Sequence, residues 1–307
     1  MKKFTALLLA AVMLLAVLTA CSSKTSTSSQ TASASVSGTD ASASSAAASA
    51  STAAASASSA ASSSAAASAA GSADSDYAKV KAKGTAVVGI TDFAPMDYKD
   101  DSGNWTGFDA ELATQVFDQM GLKVEFLEID WDNKILELNS GNIDCVWNGM
   151  TLTDEVLNSM SCTDPYVLNA QVVVMDSSKI KDGMTADDVK DLNFAVEAGS
   201  AGDTTASDAG FNVTQVSSQA NALMEVAAGT SDACVIDLTM AKAMTGAGTS
   251  YPNLAVAFEL TNEEYGIGFR QGSDMTAMVN DILAQYREDG TLQKLADKYG
   301  LSLADAK

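Results

Sequence analysis

The chain has 307 residues, 18 Lys and Arg against 39 Asp and Glu, and a formal net charge of −21. A field of that sign makes nucleic acid and anionic membrane surfaces poor partners. The sequence contains no histidine, which removes Ser-His-Asp and Cys-His catalysis and His-ligated metal sites together.

In chain order, Lys2 and Lys3 precede an apolar run from Leu7 to Val17 and then small residues, the layout of a secretory signal peptide over residues 1–20. That run is too short to span a bilayer comfortably. The LTAC that follows resembles a bacterial lipobox, which implies a diacylated Cys21 as the mature N-terminus. Residues 21–75 are nearly all Ser, Ala and Thr. Such a stretch cannot bury enough apolar surface to offset the entropy of ordering it, so a disordered, lipid-anchored linker is expected.

From residue 76 onward, short strand patterns alternate with amphipathic helices, which predicts an α/β fold. TAVVGI (85–90) is a β-rich run. DAELATQVFDQMG (109–121) places Leu112, Ala113, Val116, Phe117 and Met120 on one helical face and stops at Gly121. KVEFLEI (123–129) alternates apolar and acidic residues, as a half-buried strand does. An internal echo follows: LNSGNIDCVWNG (138–149) and VAAGTSDACVID (226–237) each run helix end, Gly, two residues, Asp, then a short apolar strand. Two such units suggest two similar lobes. Their strands end at polar clusters, Asn148, Gly149 and Thr151 in one and Asp237 in the other, where open α/β sheets bind ligands.

A third polar cluster, AGSAGDTTA (198–206), follows the strand-like NFAVE. It would aim the backbone N–H groups of a helix start at the same cleft, or simply cap that helix through Ser200 or Asp203. Cys145, Cys162 and Cys234 lie in or beside apolar segments without CxxC spacing, so buried thiols are expected, with a disulfide between two of them left open. No metal site and no cofactor is expected.

Taken in order, GTAVVGITDFAPMDYKDDSGNWTGFDAELA, EIDWDNKILELNSGNIDCVWNGMTLT, DPYVLNAQVVV, VEAGSAGDT, SDACVID, EEYGIGFR and EDGTLQKLADKYG resemble the successive segments of family 3 bacterial solute-binding proteins. These are extracytoplasmic receptors of polar amino-acid ABC importers. The resemblance implies a two-lobed periplasmic-binding-protein (Venus-flytrap) fold of type II with a double hinge crossover. Residues 76–168 and 262–307 would form one lobe and residues 169–261 the other. It further implies a monomer tethered outside the cytoplasmic membrane through its lipid anchor alone, with a small-molecule ligand (an amino acid or amine) and ABC permease and ATPase subunits as partners. The implied ligand contacts are Phe93 as a covering aromatic; Asn148, Gly149 and Thr151 from the first lobe; Ser200 and Ala201 from the second; and Asp237 as the carboxylate holding an ammonium.

One position departs from that pattern. Members usually carry an Arg three residues after a T-x-T, clamping the ligand's α-carboxylate. Here Thr151-Leu-Thr153 is followed by Asp154, Glu155 and Val156, and no Lys or Arg occurs between Lys134 and Lys179. A charged hydrogen bond lost there is worth roughly 1.5–3 kcal/mol. The cargo is then an amino acid whose carboxylate rests on the Ser200–Ala201 helix start, helped by Lys134 or Lys242, or a small amine or amino-acid derivative without a free α-carboxylate, or else the receptor has lost transport altogether. A sensory surface protein and a dehydratase-like enzyme are further alternatives; in the latter Asp154, Glu155 or Asp237 would supply acid–base chemistry. The absence of any nucleophile-plus-base spacing favours a binding protein over an enzyme.

Overall fold

The computed structural model describes residues 75–305. The expected leader, Cys21 and the linker up to residue 74 lie outside the described residues.

Helix α1 (Asp76–Lys83), capped by the Ser75 hydroxyl, leads into β1 (Thr85–Ile90). A small antiparallel pair, β2 (Tyr98–Lys99) and β3 (Trp105–Thr106), precedes α2 (Phe108–Gln119) and β4 (Lys123–Glu128). A 3-10 turn at Trp131–Asn133 opens α3 (Lys134–Ser140), followed by β5 (Cys145–Thr151), α4 (Asp154–Ser159), β6 (Ser161–Cys162) and β7 (Val167–Asn169). The next stretch holds β8 (Gln171–Asp176), α5 (Ala186–Val189), β9 (Asn193–Glu197), α6 (Ala201–Asp208), β10 (Asn212–Val216) and α7 (Gln219–Ala228). It continues with β11 (Ala233–Asp237), α8 (Leu238–Met244) and β12 (Leu254–Glu259). Then β13 (Glu263–Phe269), α9 (Met275–Glu288) and α10 (Thr291–Tyr299) close the chain.

The strands form two main sheets. The first runs β4-β1-β5-β13-β6, with β7 also paired to β13; the second runs β10-β9-β11-β8-β12. Each has three parallel strands followed by an antiparallel neighbour, β13 in the first and β8 in the second. The chain passes from one sheet to the other at Ala170, between β7 and β8, and returns between β12 and β13. Two crossings side by side make a double hinge between two α/β lobes.

The repeated helix-Gly-Asp-strand pattern has a physical cause. Gly141 and Gly229 end α3 and α7 in the left-handed conformation, at φ 81° and 75°, which glycine adopts without a Cβ penalty. The aspartates then start the strands alike. Asp144 Oδ2 accepts from the Val87 backbone N–H and Asp232 Oδ2 from that of Asn193, pinning β5 beside β1 and β11 beside β9.

Packing follows the strand period of two. In β8, Val172 and Val174 join a buried cluster with Phe117, Trp147, Tyr265 and Ile236, while Val173 and Met175 face a second with Phe194 and Val235. Trp131, Leu138, Ile143, Met150 and Val156 form a third on the other face of the first sheet. Trp147 is wholly buried, edge-on to Phe117, and donates from Nε1 to Asp109. It is a core residue.

Among the described residues, Cys145, Cys162 and Cys234 are free thiols, and burial pushes Cys162 up to about 11. None of the described helices is long and apolar enough to cross a membrane.

Candidate ligand-binding site

Strands β1, β5, β9 and β11 bring their carboxyl ends to one place between the lobes. A cavity of about 470 Å³, mouth included, opens there. All seven residues expected at the cleft line it: Phe93, Asn148, Gly149, Thr151, Ser200, Ala201 and Asp237. So do Trp131, Lys134, Thr153, Glu155, Val156, Glu197 and Gln219.

Several of the expected groups are already committed to the protein. The Asn148 side chain donates to Thr91 O and Asp97 Oδ2 and accepts from the Thr91 N–H and hydroxyl. Its hydrogen bonds hold the end of β5 against β1, leaving its backbone as the part that can serve a ligand. Gly149 sits at φ 53° and donates its N–H to Asp109 Oδ2 at 2.6 Å. Asp109 also receives Trp147 and Tyr166, yet burial raises it to about 7. A Cβ at 149 would lie 2.5 Å from Phe93 Cε1, so the glycine is what lets Phe93 approach the end of β5 so closely. The Thr151 hydroxyl donates to Glu263.

In the second lobe, the Ser200 hydroxyl caps α6 by accepting from the Asp203 N–H. The first N–H groups of a helix lack partners within it, and Ala201, which lines the cavity, is the first residue of α6. Asp237 stands at the N-cap position of α8 without capping it. Its carboxylate receives Asn169, Gln171 and Gln219 amides and the Tyr265 hydroxyl instead. Burial, then the neighbouring Glu263, raise it to about 8. Asn169 and Gln171 belong to the two strands flanking the first crossing and Glu263 opens β13 after the second, so this network ties the cavity to the hinge.

Of the two lysines considered, only Lys134 reaches the cavity. Its ammonium donates to Gly199 O at 2.8 Å, linking the lobes, and lies 5.1 Å from the Trp131 ring centre. Burial lowers its pKa, opposed by Glu155, Glu197 and Asp132. Lys242, in the last turn of α8, lines a different hollow with Leu168 and Leu301. Val156 does line the cavity, 2% exposed, and turns an apolar wall toward it.

Glu197 and Gln219 escape a reading of the sequence. Glu197 ends the strand NFAVE, and its position at a carboxyl end is the one local signal it gives. Gln219 is the first residue of α7 and gives none.

Two α/β lobes, a double hinge and a polar cavity where both sets of strand ends converge define a two-lobed solute-binding protein. Residues 86–302 match the model of the bacterial extracellular solute-binding proteins, family 3, and the chain belongs to that family. The L-cystine-binding protein TcyA of Bacillus subtilis is 34% identical over 73% of this chain and 84% of its own. A probable histidine-binding protein of Neisseria gonorrhoeae is 32% identical over 69% and 81%. Among solved structures, an ancestral arginine-binding protein bound to arginine shares 32% identity with a TM-score of 0.64, covering 70% of this chain and 98% of that one. The ancestral amino acid-binding protein AncCDT-1, a precursor of cyclohexadienyl dehydratase, shares 30% with a TM-score of 0.67, covering 73% and 99%.

Proposed function

We propose that this protein is the substrate-binding lipoprotein of an ABC importer, anchored outside the cytoplasmic membrane through Cys21 and delivering a polar amino acid or related small amine to a membrane permease and its ATPase. One observation carries the reading: a polar cavity lies between lobes that already touch, through Lys134 and Gly199. The relatives' amino-acid ligands support the ligand class. Phe93, Asn148, Gly149, Thr151, Ser200, Ala201 and Asp237 are the proposed contacts. Asp237 faces the ligand ammonium, with the Asn148 and Ser200 side chains shaping the site and backbone groups near them meeting the ligand. Capture is by closure about the double hinge, and the closed form is what the permease recognises. The anchored linker and the lobe limits at residues 168/169 and 261/262 complete the reading, with a single copy of the chain as the working unit.

A ligand lacking a free α-carboxylate is the second reading. It is favoured by Val156 standing where a guanidinium is expected and by Lys134 being already bonded to Gly199 O. Calorimetry with free amino acids against their amides and decarboxylated amines separates the two. Preference for the uncharged carboxyl forms overturns the amino-acid reading, and no binding by any of them overturns the receptor reading. We read the chain as a binding protein rather than an enzyme; conversion of a bound ligand, followed by mass spectrometry, would refute that.

A further inference from the structure

The sharpest unexplained feature of the cavity is Glu197. It ends β9 inside the cavity, 3% exposed, and its Oε1 has no hydrogen-bond partner among the described residues. An isolated buried carboxylate oxygen is costly unless something donates to it. Nothing in the lobe's packing requires an acid at this point, since the preceding Phe194 and Val196 fill the cluster behind the sheet.

The surrounding charge points the same way. The cavity is lined by Glu155, Glu197 and Asp237 against one cation, Lys134. Lys134 makes no salt bridge to any of the three and spends its donors on Gly199 O and Trp131 O. Gln219 braces Asp237: its Nε2 donates to Asp237 Oδ2 and its Oε1 accepts from the Asp237 N–H. Glu197 and Asp237 end the neighbouring parallel strands β9 and β11 and both line the cavity, with Val156 contributing no counter-charge.

We propose that Glu197 is a specificity-determining contact that receives a cationic group of the cargo, so that the cavity selects a small molecule of net positive charge over its neutral counterpart. This rests on the receptor reading above and adds the charge of the ligand to it. A ligand whose one ammonium lies at Asp237 leaves Glu197 Oε1 buried without a partner. A second cationic donor, from a basic amino-acid side chain or from the far end of a diamine, supplies that partner. Burial, and then Asp237, raise Glu197 to about 8, so the carboxyl holds its proton until such a cation arrives.

The test is calorimetry on the full chain with pairs matched in shape and differing by one charge, L-arginine against L-citrulline and L-ornithine against L-norvaline, with putrescine as the diamine arm. The expected result is a preference of about 10- to 100-fold for the charged member, the range of a charge-assisted hydrogen bond. Tighter binding of putrescine than of the amino acids assigns the source as a diamine, and the reverse as a basic amino acid. In Glu197→Gln the preference falls to within about threefold. Equal binding within the pairs by the wild-type chain, or an undiminished preference in Glu197→Gln, overturns the inference while leaving the receptor reading intact. Failure of every amino acid and amine to bind overturns both. Should Glu197→Gln not fold, the molecule released from denatured wild-type protein decides: net positive charge supports the proposal and a neutral or acidic species refutes it.

Discussion

Replacing Gly199 by alanine tests whether the contact between lobes governs capture. Gly199 links β9 to α6 at φ 67°, a conformation that costs a residue bearing a Cβ about 1–2 kcal/mol. That strain is felt whether or not the lobes are together. The second cost is different. A Cβ at 199 would lie 2.8 Å from Asp132 Cα and 2.7 Å from Asp132 Oδ1, in the 3-10 turn of the other lobe. Backbone cannot swing aside as a side-chain tip can, and overpacking of this kind costs about 1–3 kcal/mol. It acts only when the lobes are closed, and at about 1.4 kcal/mol per decade the closed population falls roughly 5- to 150-fold. Apparent affinity falls by the same factor, since binding is linked to closure. Calorimetry with a ligand of the wild-type protein and small-angle scattering with and without it provide the assay. Weakened binding and reduced compaction, with a loss of unfolding free energy near the strain alone, are expected. Wild-type affinity and wild-type compaction in Gly199→Ala would refute the reasoning.

Three other outcomes follow from the same geometry. Val156→Arg puts a guanidinium into the apolar wall beside Met150 and Met160. It should lower stability by about 1–3 kcal/mol while strengthening free amino acids over their amides about 10- to 100-fold, as a gained charged hydrogen bond does; unchanged discrimination in calorimetry would remove Val156 from the carboxylate end of the site. Gly149→Ala should cost about 2–4 kcal/mol in urea unfolding, from its positive φ and the 2.5 Å approach to Phe93 Cε1, and a loss under 1 kcal/mol would contradict that packing. Asp109, Glu197 and Asp237 are raised to about 7, 8 and 8, chiefly by burial. The native state therefore binds more protons than the unfolded chain between about pH 4 and pH 8, and ligand-free stability falls as pH rises through that window. A melting temperature that climbs from pH 5 to pH 8 would refute this, and Glu197→Gln should flatten part of the slope.

Much of the architecture is legible in local pattern. The helix of residues 109–121 forms one residue earlier than its apolar spacing predicts, at Phe108, and hands over at Met120 and Gly121. The strand of residues 123–129 forms as Lys123–Glu128. The repeated Gly and Asp of the two echoing segments encode a left-handed helix end and a carboxylate that receives a neighbouring strand's N–H, both local requirements that leave a trace in residue type. Cleft positions are legible for a related reason: small polar residues at the ends of apolar strands are where an open sheet exposes its backbone.

The use each polar side chain is put to is not legible. Asn148, Ser200 and Asp237 read alike as ligand groups, yet the first is spent on Thr91 and Asp97, the second on capping α6, and the third is surrounded by amide donors. Lys134 and Lys242 read as equal candidates, and only the crossing of the lobes brings one to the cavity and leaves the other outside.

The sequence alone determines the class of fold and the repeat within it, because periodicity, caps and turn residues act over a few positions, while the family and the missing arginine are read from the resemblance of its segments in order. The tertiary structure alone decides which acids line the cavity. The distance from Glu197 to Asp237, Lys134 and Val156 is set by two hinge crossings and two sheets closing on each other, and no local rule carries that information.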